Sequence, residues 1–515
     1  NRWITASIPA GKSDRTIQLT HWFPHAADLV SEPHGLIVLA NFKPKAFALA
    51  STQGGPALWP EVLTVKGARG KPKNGFATET IPVPFKNPWN ALMFTSGVDF
   101  FDNGDAAVCT VHGDVWRVSG IDGDLNEIKW KRYATGLHQP LGLKMVDNKV
   151  HVLERDQITI LHDLNGDNEA DFYENFNNDV VSGGGGHAFA TSLETDLEGN
   201  FWFMKCAEDT PQGGAIMRVS KDGSKLEVIA TGFRNPNGMG VSPTGVVTAG
   251  DQQGTWVPET RLDIIQKGGF YGYMPMHKRD IAPTDFDPPL IWIPRPVDNS
   301  AGGQTWVPKG AWGPLSGQML HLSYGRCTFM AILRDESNAG MNGAAVQLPG
   351  RFLSGVMRAR FNPHDGHLYL TGLRGWQTAA IHDGCLQRVR YTGEKLYLPV
   401  AFNVHANGVK LTFSQPLDKE LAEDVESYGV EQWNYKWTKN YGSPDFKPSD
   451  SDEQGRDPVS VKSATLLKDG KSVFLNLGKV DSVHAMAINY NLDAKDGKLT
   501  RGSLYLTVNR VGPRQ

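Results

Sequence analysis

The chain has 515 residues, 40% hydrophobic and 21% charged, with a formal net charge of -3, ordinary proportions for a globular chain holding two or three cores. A balance this near neutral argues against nucleic acid or an anionic membrane surface as the main partner, and no apolar run approaches the ~20 residues needed to span a bilayer. The 56 glycines and 14 tryptophans suggest a turn-rich, all-β architecture with aromatic surfaces.

The chain opens on NRWITASIPAG, with neither Met nor an apolar leader, and so reads as processed or trimmed. Residues 1–84 are irregular, and VKGARGKPKNGFATETIPVPFKNPW reads as an extended arm entering the first regular domain.

A diverged repeat then begins. GVDFFDNGDAAVCT, LGLKMVDNKVHVLE, TSLETDLEGNFWFM, NGMGVSPTGVVTAG, WGPLSGQMLHLS and ARFNPHDGHLYLTG share one grammar. Each is a short apolar strand, a Gly/Asn/Asp turn and an alternating strand. The turn residues are Gly104, Asn148, Gly199, Gly245, Gly317 and Gly366, at steps of 44, 51, 46, 72 and 49 residues. Strand-only repeats near ~45 residues are the signature of propeller blades. The fold class is therefore all-β: a six-bladed β-propeller over 85–397. The long step contains MHKRDIAPTDFDPPLIWIPRP, read as a Pro-rich insertion between blades four and five.

Within the second repeat, DLNGDNEADFYE places oxygens at Asp163, Asn165, Asp167, Glu169, Asp171 and Glu174. That spacing matches a D-x-[DN]-x-[DN] loop wrapping a hard cation, and predicts a structural Ca2+ on a blade edge. Asn168 stands where such loops place glycine, and asparagine tolerates the left-handed conformation. A solvated acidic turn is the alternative. The run SGGGG (182–186) follows, and releases His187 toward a strand; without GK[ST] it is a flexible approach rather than a phosphate cradle.

After RVRYTGEKLYLPVAF the grammar changes. GVKLTFSQPLD, KSVFLNLGKV, AMAINYNL and GSLYLTVNRVG alternate with period two, predicting a β-sandwich (Ig-like) over 398–515. Its insertion YGSPDFKPSDSDEQGRDP reads as a mobile loop. Cys109, Cys206, Cys327 and Cys385 lie far apart with no C-x-x-C pair, leaving two disulfides or four buried thiols open. Trp256, Trp306 and Trp376 suit either sugar stacking or burial in blade strands.

In a propeller the segments entering the inner strands share one face around the axis, so residues at similar offsets before the turns converge. His187 lies 12 residues before Gly199, Arg234 lies 11 before Gly245, Gln139 lies 9 before Asn148, and Arg358 lies 8 before Gly366. An imidazole, two guanidiniums and an amide thus share one rim, the default place for a pocket.

HAFATSLETDLEGNFWF and ATGFRNPNGMGVSPTGVV…GDQQG resemble the soluble sugar (aldose and sorbosone) dehydrogenases that use pyrroloquinoline quinone, PQQ. DVWRVSGIDG, GLHQPLGLK, LSYGRC and DGCLQRVRYTG resemble, more closely, the large secreted dehydrogenase-like propeller proteins of planctomycetes and verrucomicrobia. The resemblance implies that His187 is the general base taking a sugar hydroxyl proton, a task suited to a neutral imidazole. It implies that Arg234 and Asn235 lie beside the cofactor, and that Lys309, Arg326 and Arg358 or Arg360 grip its carboxylates and carbonyls. The turn GDQQG, with Asp251 and Gly254, falls where the family holds a calcium bridging the cofactor. Where the sugar-oxidising enzymes carry an acid before the histidine, this chain has Gly186.

The expectation is a secreted or periplasmic oxidoreductase acting on a carbohydrate or polyol, with a cytochrome as an electron acceptor and no nucleic-acid partner. Two rivals share the same axis: a metal-dependent glycan lyase or hydrolase without redox chemistry, and a carbohydrate-binding propeller without activity.

Overall fold

The computed structural model describes residues 53–515; residues 1–52, the first part of the expected arm, lie outside the described residues. Six antiparallel sheets, four of four strands, one of five and one of eight, each contribute an innermost strand: Thr95–Phe100, Gly142–Val146, Ala190–Thr195, Gly238–Val241, Ala301–Trp306 and Gly355–Phe361. Each innermost strand packs against those of both neighbouring sheets, and the sixth returns to the first. The domain is a six-bladed propeller. All six turn residues marked in the sequence sit between the first and second strands of their blades, with φ between +56° and +87°, where glycine and asparagine are tolerated.

The ring is closed by a strand from the N-terminal side. Phe76–Ile81 pairs along Gly384–Tyr391 as the outer strand of blade six, and Val62–Val65 adds a fifth strand to blade one. The propeller therefore takes in residues upstream of 85, within the segment read as an arm. At the closure Glu79 is fully buried and accepts from Arg388 at 2.6 Å, Arg69 at 2.8 Å and Arg390 at 3.2 Å. A buried carboxylate this well supplied is compensated.

The Pro-rich insertion is internal to blade four. It runs from the third strand, Thr260–Ile264, and ends in the fourth, Ile291–Ile293.

The hydrophobic cores lie between blades. Ile81, Tyr369 and Leu386 pack with Trp116 and Trp130 between blades six and one, and similar clusters fill the other junctions.

The C-terminal domain is a sandwich of two sheets. One contains Pro399–His405, Gly408–Phe413, Ser472–Asn476 and Ser463–Leu466. The other contains Leu499–Val508, Val483–Asp493, Tyr428–Trp433 and Asp457–Val459, and it continues blade five: Ala344, Ala345 and Val346 pair with Leu506, Tyr505 and Leu504. Phe329, Leu333 and Val346 of the propeller share one core with Leu411, Ile488 and Leu504 of the sandwich. Each such fully buried side chain contributes about 1.5–3 kcal/mol, so the two domains form one packed body. The expected mobile loop is instead an ordered hairpin, Phe446–Lys447 with Asp450–Gln454, preceded by a segment docked on blade four. All four cysteines are buried free thiols.

Candidate functional site on the propeller axis

A cavity of about 560 Å³ opens where the inner strands begin, within the range that holds small ligands. Phe94, Leu141, Thr191, Asn237, Ser300 and Met357 reach it from the entries of the six inner strands. Val111, Cys206, Gln252, Tyr324 and Arg374 reach it from the turns leaving the second strands. Both sets share a face because antiparallel hairpin partners enter and leave a blade at the same end. Register shifts near the entries of four inner strands (Thr95/Gly97, Thr191/Glu194, Ala301/Gln304, Val356/Arg358) re-aim side chains there.

His187 lines this cavity. Its side chain is exposed and has no hydrogen-bond partner among the described residues; Phe189 meets its ring edge-on at 6.4 Å. The glycine run that delivers it is clasped by Arg155, a residue that no motif or spacing marks out. Arg155 donates to Ser182 Oγ (3.2 Å) and to the carbonyls of Gly183 (3.3 Å) and Gly185 (2.5 Å), and also to Gln139 Oε1 (3.2 Å). From the other side Glu208 accepts the Gly183 N–H at 2.8 Å, and Lys205, ion-paired to Glu208 and fully buried, donates to the Val181 carbonyl at 2.7 Å. A loop with little intrinsic order is thus held by two charged clamps.

Arg234 and Asn235 line the neighbouring wall. Asp251, wholly buried, accepts the backbone N–H groups of Arg234 (2.6 Å), Asn235 (2.9 Å) and Gln252 (2.8 Å). Burial pushes the Asp251 carboxyl up, against these three donors. Asp251 therefore shapes the wall from behind rather than facing a ligand. The Arg234 guanidinium makes one hydrogen bond, to the Gln253 carbonyl at 3.3 Å, and stacks on the Tyr441 ring at 5.1 Å. Its other donors are free among the described residues. A Cβ on Gly254 would lie 2.3 Å from this guanidinium, so any side chain there would push Arg234 out of its present position.

The remaining expected cofactor residues lie elsewhere. Gln139 is spent on Arg155 and stands off the cavity wall. Lys309 is exposed on the turn after Ala301–Trp306, about 20 Å along that strand from Ser300. Arg326 donates to the Arg295 carbonyl at 2.6 Å, outside the cavity. Arg358 lies beneath the floor, fully buried, donating to the carbonyls of Leu141 (2.9 and 3.2 Å), Asn237 (2.6 Å) and Met357 (2.6 Å). It thereby ties blades two, four and six together at the hub, and burial pushes its guanidinium down to about 9. Arg360 is paired with Glu194 at 2.7 Å and donates to the Leu193 carbonyl. The cavity's second guanidinium is Arg374, unmarked in the sequence, beside Trp376; Tyr441 arrives from the sandwich. Of the three tryptophans singled out, Trp376 alone reaches the cavity. Trp256 packs on Trp437, and Trp306 lies against the core between blades four and five.

The expected calcium loop folds on its own backbone. Asp163 accepts the N–H groups of Gly166 (2.7 Å), Asp167 (3.2 Å) and Asn168 (2.9 Å); Asn165 accepts from Asp167, Asp167 from Glu169 and Asp171 from Leu164. Asn168 has φ +67°, the conformation expected of it. Glu169 turns away to the N–H groups of Leu58 and Trp59, and Glu174 pairs with His162 at 2.6 Å. Among the described residues no group of three or more His, Cys, Asp or Glu side chains is placed to hold a metal ion. The expected six-ligand set is not assembled, because the oxygens cap local N–H groups or face other partners.

A flat tricarboxylated quinone such as PQQ calls for cations at its edge and for hydrogen-bond donors to its carbonyls. Arg234, with donors to spare, and Arg374, which also faces Asp383 at 3.7 Å, would meet two carboxylates. The side-chain amides of Asn235 and Gln252 would supply further donors, while that of Asn237 already donates to the Ala301 carbonyl at 3.2 Å. The donor set fits such a group.

No family model matches the chain, and no curated protein matches it. Among solved structures it is similar to a putative oxidoreductase (glucose dehydrogenase) of Thermus thermophilus, at 15% identity and TM-score 0.46, covering 61% of this chain and 100% of that one. It is similar to the PQQ-bound aldose sugar dehydrogenase of Streptomyces coelicolor at 13% and TM-score 0.40, covering 62% and 100%. The holo PQQ domain of Coprinopsis cinerea pyranose dehydrogenase gives 8% and TM-score 0.39, covering 65% and 98%. No residue's role passes from them to this chain.

Proposed function

We propose that this chain is an oxidoreductase that oxidises a sugar or polyol in the axial cavity with PQQ as cofactor. One observation carries the reading: an exposed, unpartnered imidazole and a guanidinium with free donors, His187 and Arg234, face the same cavity from adjacent blades. When bound, PQQ supplies a two-electron acceptor. Arg234, Arg374 and Asn235 hold its anionic edge, and Asp251 keeps the Arg234–Asn235 backbone in place from behind. His187 accepts the proton of the substrate hydroxyl on a ring nitrogen left free for it. Phe94, Phe189 and Tyr324 make the surrounding walls apolar, which strengthens charge interactions inside.

The test is a titration of the purified chain with PQQ, with and without calcium, followed by reduction of an artificial dye against a panel of sugars and polyols. Saturable binding that Arg234→Met weakens, and sugar-dependent dye reduction that His187→Asn removes, are the expected results. A chain that neither binds PQQ nor reduces dye with any sugar overturns the proposal.

A further inference from the structure

At the mouth of the axial cavity two aromatic rings stand nearly bare. Trp376 is 87% exposed and Tyr441 is 68% exposed, and both line the opening. The chain hides other large rings completely, among them Trp116, Trp130, Trp292 and Trp433. Trp376, by contrast, is uncovered, and Tyr441, with Arg234 over one face at 5.1 Å, leaves the rest of its ring to solvent, so both rings can receive a ligand. Neither dangles. Trp376 rides on a turn closed by the Arg374 N–H to the Asp383 carbonyl (3.0 Å) and the Ala379 N–H to the Gly325 carbonyl (2.8 Å). Tyr441 belongs to the sandwich, and its segment is stitched to the blade-four loop that supports Arg234. Gly442 N–H donates to the Gly254 carbonyl (3.0 Å), Ser443 N–H to the Pro258 carbonyl (2.9 Å) and the Trp437 indole N–H to the Gly272 carbonyl (2.8 Å).

We infer that the site takes the end of an oligosaccharide, with the terminal sugar inside the cavity near His187 and the following sugars packed on Trp376 and Tyr441. The C–H faces of pyranose rings pack on aromatic faces while their hydroxyls stay in water, which suits rings displayed at a rim. A free monosaccharide seated deep in the cavity near His187 gains little from rings at its mouth. Tyr441 is then a specificity-determining residue, and the sandwich is part of the substrate site rather than a separate adhesion module. This rests on reading the cavity as a saccharide site, and not on the quinone.

The experiment is calorimetric titration of the full chain, without cofactor, with glucose, cellobiose and cellotetraose, and with the maltose and xylose series, alongside the dye assay. Affinity is expected to rise at least ~10-fold from monosaccharide to tetrasaccharide in one series. Trp376→Ala and Tyr441→Ala are each expected to weaken the tetrasaccharide about fivefold more than the monosaccharide, with Tyr441→Phe restoring it. No gain with chain length in any series, or equal losses on short and long sugars, overturns the inference. Length-dependent binding without dye reduction keeps it and sinks the redox reading; dye reduction without any length effect does the reverse.

Discussion

Replacing Arg358 by methionine separates a hub tie from a ligand grip. The guanidinium serves three carbonyls, those of Leu141, Asn237 and Met357, on blades two, four and six. The Leu141 carbonyl keeps the Ser192 N–H at 3.1 Å, so the carbonyls of Asn237 and Met357 are the two that lose this donor, at about 1–3 kcal/mol each. Two effects reduce the sum. Leu141, Asn237 and Met357 also line the cavity, so water reaches part of the orphaned set, and the cost of burying the charge is relieved. A net loss of about 3 kcal/mol, roughly 150-fold in the unfolding equilibrium, is expected. Urea denaturation followed by tryptophan fluorescence measures it, and PQQ titration of the folded variant should change less than about threefold. Arg234→Met should invert the pattern, with stability within about 1 kcal/mol and PQQ affinity falling at least ~30-fold. An Arg358→Met protein of unchanged stability that no longer binds PQQ would refute the assignment of Arg358 to the hub.

His187→Asn should leave the melting temperature within about 2 °C, because the ring is exposed and unpartnered, while lowering sugar-dependent dye reduction about 10²–10⁴-fold. Arg155→Ala should raise amide exchange across residues 182–187 at least ~10-fold and lower kcat more than it raises KM, with Arg155→Lys recovering part; unchanged exchange would show that the clasp does not order the run. Glu259, buried near the sandwich contact, has its carboxyl pushed up by burial to about 8, from an ordinary value of 4.5. The folded state holds that proton more tightly than the unfolded one, so stability is fully present below pH ~4.5 and is lost as pH rises toward 8. Denaturation midpoints between pH 5 and 8 should fall with a slope that Glu259→Gln removes.

The blades were readable because their turns need positive φ at one residue, and glycine or asparagine at Gly104, Asn148 or Gly366 announces that need. The closing strand was not, since Phe76–Ile81 meets its partner some 300 residues later and nothing local marks the pairing. The offsets before the turns mark His187 and Arg234, on the entry side of the rim. The exit side, where Gln252, Tyr324 and Arg374 leave their second strands, follows the same repeat but lies after the turns, beyond the reach of those offsets. Arg358 shares the axis with His187, but it follows a register shift at Val356 and lies one layer deeper; offset alone does not give depth. The oxygens of Asp163, Asn165 and Asp167 are spaced for a cation and equally spaced to cap their own N–H groups, and the backbone took them. Tyr441 was hidden for a different reason: its polar surroundings suggested a solvated excursion, whereas neighbouring Trp437 anchors it to blade four.

The sheet shared by blade five and the sandwich also governs orientation. Hydrogen bonds run unbroken from Ala301–Trp306 at the axis to Asp457–Val459 at the far edge, so no swivel separates the two ends. A chain tethered through its last residues would hold its opening at a fixed angle to the surface beneath it. Lengthening the connection after Tyr391 would not free the propeller, because the coupling passes through paired strands rather than through the linker.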